Sequence, residues 1–71
     1  MFIDEILKMI RKELKISQET FARDLNVSFA TMNRWENKKV NPSRLALIQL
    51  KEYSDKNGLP KEIINELEKY R

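Results

Sequence analysis

Phe29, Ala30, Asn33 and Arg34 are the side chains with the most specific chemistry to offer in this 71-residue sequence. Their spacing puts all four on one face of a helix. The Arg34 guanidinium is a rigid fork of donors that fits the two acceptors on a guanine edge. The Asn33 amide sets a donor beside an acceptor, as adenine requires, and Ala30 or Phe29 suits a thymine methyl. A good pairing of this kind discriminates against the wrong base by about 1–3 kcal/mol. Phe29 and Asn33 also have a plainer use, since a first-turn aromatic folds back onto a core and an exposed Asn is content with water, and Arg34 is the foremost base-reading candidate.

A second set suits phosphate. Unpaired amides and the positive pole attract anions to helix starts, and Ser17, Gln18, Thr31, Asn37 and Lys39 are the candidate phosphate contacts. Lys38, Lys39 and Arg44 add an attraction that salt screens and that is blind to sequence. For Ser17 and Ser28, capping alone is a sufficient role.

The charge distribution agrees with a polyanionic partner. The formal net charge is +3. Between Ser17 and Lys51, Arg23, Arg34, Lys38, Lys39, Arg44 and Lys51 oppose only Glu19, Asp24 and Glu36, so this segment carries the whole excess. The rest of the chain is balanced. Histidine and cysteine are both absent, which removes the usual proton shuttle, the commonest metal ligands and any disulfide. No carboxylate pair, Ser–base pair or Gly-rich phosphate loop stands out. The chain is therefore not expected to be an enzyme, and no catalytic residue, metal or cofactor is expected. No apolar run approaches the roughly 20 residues that span a bilayer, and Asp4 and Glu5 stand where a signal peptide would be basic. A cytoplasmic location without membrane contact is the expectation.

Five helices position these residues, roughly 3–14, 18–25, 29–36, 42–56 and 60–70, within a single all-α domain spanning 1–71. Phe2, Ile3, Ile6, Leu7, Ile10 and Leu14 make the first an amphipathic helix. Two echoing phrases, ISQETF from Ile16 and VSFATM from Val27, each place a Ser where it caps a new helix. The residue before each Ser packs on the one five positions later, Ile16 on Phe21 and Val27 on Met32. Only Asn26 and Val27 are left to turn the chain, so the second and third helices cross steeply as a helix-turn-helix. Met32 and Trp35 then face inward against Phe21, Ala22 and Leu25. Asn41-Pro42 opens the fourth helix, with Leu45, Ile48, Leu50 and Tyr53 as its apolar residues, and Gly58 closes it. Pro60 opens the fifth, whose stripe is Ile63, Ile64, Leu67 and Tyr70.

The run SQETFARDLNVSFATMNRWENKKVNPS from Ser17 to Ser43, preceded by Arg11, resembles the phage repressor/Cro type of helix-turn-helix domain, the XRE family. The matching features are Gln18, Ala22, Leu25, Ser28, the RWEN run and Asn41-Pro42, and the likeness extends from about Ile6 to Tyr53. Asn26 and Lys38 replace the usual glycines. Phe29 and Ala30 stand where relatives often carry polar base-reading side chains. The resemblance implies a five-helix, lambda-repressor-like bundle that binds double-stranded DNA sequence-specifically through the major groove and acts as a transcriptional regulator of the repressor kind. It favours Gln18 and Asn37 as neighbours of the DNA backbone. It also implies an ion pair between Arg11 and Glu36, joining the first helix to the end of the third.

A domain this small makes few base contacts, so a homodimer, at least on DNA, is expected on a two-fold symmetric site. Ile63, Ile64, Leu67 and Tyr70 serve either as that interface or as cover for the domain's own core. Two other readings keep the fold. One is an antitoxin-like or adaptor protein whose C-terminal helix binds a protein partner, and the other is the DNA-targeting module of a larger DNA-modifying protein.

Overall fold

The computed structural model describes residues 2–70. Among the described residues the regular structure consists of helices α1 (Ile3–Leu14), α2 (Gln18–Asp24), α3 (Phe29–Glu36), α4 (Arg44–Lys56) and α5 (Lys61–Glu68). In α1 the residues Ile3, Ile6, Leu7 and Ile10 recur at helical spacing and are buried, with Lys8 and Lys12 outside. Acidic Asp4 and Glu5 in its first turn, and Arg11 and Lys12 in its last, both favour the helix dipole. This helix is the centre of the molecule, since α3 and α5 both pack on it, while α2 packs on α3 and α4 on α5. Phe21, Met32, Leu50 and Ile63 are enclosed in the core they share.

Capping sets the helix starts. The hydroxyl oxygens of Ser17 and Ser28 accept from the amides of Thr20 and Thr31 at 3.1 and 3.0 Å, satisfying donors that no helical carbonyl reaches. The stops of α1 to α4 share one device. Lys15, Asn26, Lys38 and Gly58 adopt left-handed backbones, with φ of 55°, 59°, 61° and 66°. After each, the next amide donates to a carbonyl five residues back: Ile16 to Arg11, Val27 to Ala22, Lys39 to Arg34 and Leu59 to Ser54, at 2.9–3.1 Å. Three of the four therefore accept the left-handed penalty of about 1–2 kcal/mol without the freedom of glycine.

One expectation needs correction, and the structure decides two points that the sequence left open. Helix α4 is capped by Ser43, whose hydroxyl accepts from the Ala46 amide at 3.2 Å, and it begins at Arg44. Asn41-Pro42 stays outside it, because Ser43 caps as well as Asn, and Pro42 is instead buried in the connection. The inner face of α4 runs through Ala46, Leu50 and Ser54 at four-residue spacing. That register turns Leu45 and Ile48 outward, 66% and 47% exposed, while Leu47 and Tyr53 flank the core. In α5, Ile63 and Leu67 are each only 2% exposed. They cover the chain's own core against α1 and α4, so they are not free to form an interface. Ile64 and Tyr70 are half-buried.

Candidate nucleic-acid interface

The tight turn at Asn26 and Val27 sets α3 across α2. Met32 and Trp35 bury the inner side of α3, in one core cluster with Phe21, Ala22 and Leu25. Its C-terminal end is held by an ion pair. The Arg11 Nε and Nη2 donate to Glu36 Oε2 and Oε1 at 2.8 and 2.7 Å, and the Glu36 side chain is only 2% exposed. A bidentate fork of this kind fixes orientation as well as distance.

The outer side carries the four residues singled out by type. Phe29 is 53% exposed and lies outside the core cluster, so its ring does not fold back. Ala30 and Arg34 are exposed, and Asn33 is half-buried. These residues share one face of α3, apolar at its N-terminal end and polar further along.

Asn33 belongs to a chain of amides. Asn37 Nδ2 donates to the Asn33 carbonyl and to Asn33 Oδ1, both at 2.9 Å, and Asn33 Nδ2 donates to Gln18 Oε1 at 3.1 Å. Gln18 thus spends its carbonyl on α3, which leaves its amide hydrogens for an outside acceptor such as phosphate. Asn33 keeps one donor and one lone pair, enough for a base edge but not a freely rotating side chain.

The other phosphate candidates are not equivalent. Ser17 is exposed and Thr31 half-buried. The hydroxyl of Ser17 donates to Thr20 and that of Ser28 to Thr31, so these side chains are engaged in capping. Lys39 is exposed just past α3. Lys38 turns toward α1, its ammonium 3.9 Å from Asp4 and 4.9 Å from the Phe2 ring centroid. Arg44 borders a groove of about 250 Å³ between α4 and α5, with Leu47, Ile48 and Lys51, and the structure does not join it to the amide chain. The groove is also bridged by Lys51 and Glu68 at 3.0 Å.

One supporting contact had no signal in the sequence. The Tyr53 hydroxyl donates to Asp24 at 2.8 Å, and its ring lies 5.6 Å from that of Phe21, fastening α4 to the helix that precedes the turn. Burial, followed by the hydrogen bond to Asp24, pushes the Tyr53 pKa up to about 12. The two residues are 29 positions apart, and a Tyr in an amphipathic helix has many possible neighbours.

Two short helices joined by a tight left-handed turn, with the second anchored from behind and open in front, define a helix-turn-helix. The comparison with protein families agrees. A helix-turn-helix model matches residues 7–53, well over half of the chain, and the chain belongs to this family, in its Cro/C1 or XRE type, whose members are DNA-binding regulatory domains. No match was found among curated proteins or among solved structures. No helix among the described residues is long and apolar enough to cross a membrane.

Proposed function

We propose that residues 1–71 act as one sequence-specific regulator of transcription that reads the major groove of double-stranded DNA with α3. One observation carries this reading. Phe29, Ala30, Asn33 and Arg34 occupy an open face while Met32, Trp35 and Glu36 hold the opposite side rigid. A B-DNA major groove about 12 Å wide admits one such helix, with the preceding helix across the backbone. Arg34 is the principal base reader, with Asn33, Ala30 and Phe29 beside it. Gln18 and Lys39 meet phosphate, while Asn37, whose amide hydrogens are both given to Asn33, serves by holding Asn33 in place. Repression follows from occupancy, since blocking a duplex requires no surface beyond this face.

The working form on DNA is a homodimer with its two α3 helices about 34 Å apart, on half-sites one helical turn apart. Ile63 and Leu67 are unavailable to it, so its contacts draw on other apolar surface, including Ile64, Tyr70, Leu45 and Ile48.

Selection of bound sites from random duplexes tests the reading. The wild-type protein enriches a two-fold symmetric site. Arg34→Ala relaxes the preference at one base position in each half-site. Lys39→Ala weakens all sites alike and lowers the salt slope by about one. The exposed Leu45 and Ile48 beside the α4–α5 groove favour a second reading, an adaptor that binds a protein partner. Selection that yields nothing above background would put that reading first.

A further inference from the structure

The polar side chains of the first turn of α3 are committed to its cap. Ser28 and Thr31 are tied together by the cap, through the Ser28 hydroxyl to Thr31 Oγ1 at 2.9 Å and the Thr31 amide to Ser28 Oγ at 3.0 Å. Between them, Phe29 and Ala30 are exposed and offer only a ring and a methyl. The polar readers, Asn33 and Arg34, begin one turn later. Scattered exposed apolar residues are ordinary on a protein surface. Here, however, two adjacent ones occupy the end of the helix that reaches furthest toward base edges when a recognition helix docks by its N-terminus. The chemistry they can recognise in a major groove is narrow, because the only apolar group presented there is the C5-methyl of a pyrimidine.

We infer that Phe29 and Ala30 form a reader of pyrimidine 5-methyl groups, which makes thymine, or 5-methylcytosine in its place, the preferred base under the first turn of α3. This rests on the reading of α3 as the groove-binding helix. It adds that recognition at this end is by contact with a methyl group, independent of which base carries it. Thymine and 5-methylcytosine differ in their hydrogen-bonding groups but share the methyl position, so an exposed pair of apolar side chains responds to the methyl itself.

The test uses the full chain and the duplex enriched by selection. Each thymine is replaced singly by deoxyuridine, which removes only the methyl. One or two positions per half-site are expected to weaken binding about fourfold, the worth of one buried methyl. Placing 5-methylcytosine opposite guanine at the same position should bind about fourfold tighter than cytosine there. Both differences should vanish in Phe29→Ser or Ala30→Ser, whose melting curves establish that they are folded. If deoxyuridine is neutral at every position while Arg34→Ala still relaxes one base, the methyl reader is overturned and the groove-binding reading survives. If the deoxyuridine penalty persists unchanged in both serine variants, the assignment to Phe29 and Ala30 is overturned. If no site is enriched at all, both readings fall together.

Discussion

Arg11 and Glu36, 25 residues apart, meet through two parallel hydrogen bonds of 2.8 and 2.7 Å. The carboxylate is almost fully enclosed, whereas the guanidinium keeps a solvent-facing edge. Removing one partner of such a pair strands the other charge. Arg11→Met should therefore cost roughly 3 kcal/mol, and at about 4–8 °C per kcal/mol for a domain of this size the thermal midpoint should fall by about 12 °C or more. Replacing both partners, as Arg11→Met with Glu36→Leu, should recover most of the loss, because apolar residues of similar volume often match a buried pair. Calorimetry of the two variants checks this. A double variant no more stable than Arg11→Met would show that the pair contributes more than the relief of a stranded charge.

The left-handed stops at Lys15 and Lys38 invite a paired comparison. Both residues bear a side chain at a φ that glycine adopts freely. Lys15→Gly should stabilise by about 0.5–1 kcal/mol, the relief of strain being partly offset by a more flexible unfolded chain. Lys38→Gly should gain less, since it also removes the ammonium from beside Asp4 and Phe2. Chemical denaturation of both variants measures the difference. Equal gains would mean that the Lys38 contacts contribute nothing.

Gln18 and Asn33 should behave as a unit on DNA. Their hydrogen bond joins the start of α2 to the open face of α3. Gln18→Ala should lower affinity for all sequences, and Asn33→Ala should change preference at one position. In combination they should be non-additive by about 0.5–3 kcal/mol, as expected of partners in one network. Titrations of one enriched and one scrambled duplex with the wild type and the three variants form the required cycle.

Stability should decline in alkali through Tyr53. Its folded pKa of about 12 exceeds the usual 10.0, so the native protein holds this proton more tightly than the unfolded chain does. The contribution is complete below pH 10.0 and is lost as the pH rises toward 12. Tyr53→Phe should flatten that part of the profile, with urea midpoints across the window as the readout. An unchanged alkaline slope would mean that the hydroxyl is not held as described.

The parts legible in the sequence were those decided within a few residues. Ser17 and Ser28 mark helix starts because a cap satisfies its own neighbours, and Asn26 marks the turn because two residues leave few backbone choices. The four outward residues of α3 follow from its period once Met32 and Trp35 face inward. The outer helices were harder. Apolar residues on α4 outnumber the positions its neighbours can cover, and whether Ala46 and Leu50 or Leu45 and Ile48 lie inside is decided by α5, which is remote in sequence. The stripe of α5 was ambiguous for the same reason, since Ile63 and Leu67 suit a partner's surface as well as their own core. The amide chain from Gln18 to Asn37 appears only once α2 and α3 have crossed.

The central position of α1 has a consequence for how such a chain can diversify. Its two sides brace different neighbours, α3 through Arg11 and α5 through apolar packing, with Tyr53 on Asp24 as a further tie between α4 and α2. Substitutions on the solvent side of α4 and α5 can accumulate without realigning α3. Those on the open side of α3 can alter what it prefers to touch while leaving the scaffold's melting behaviour intact.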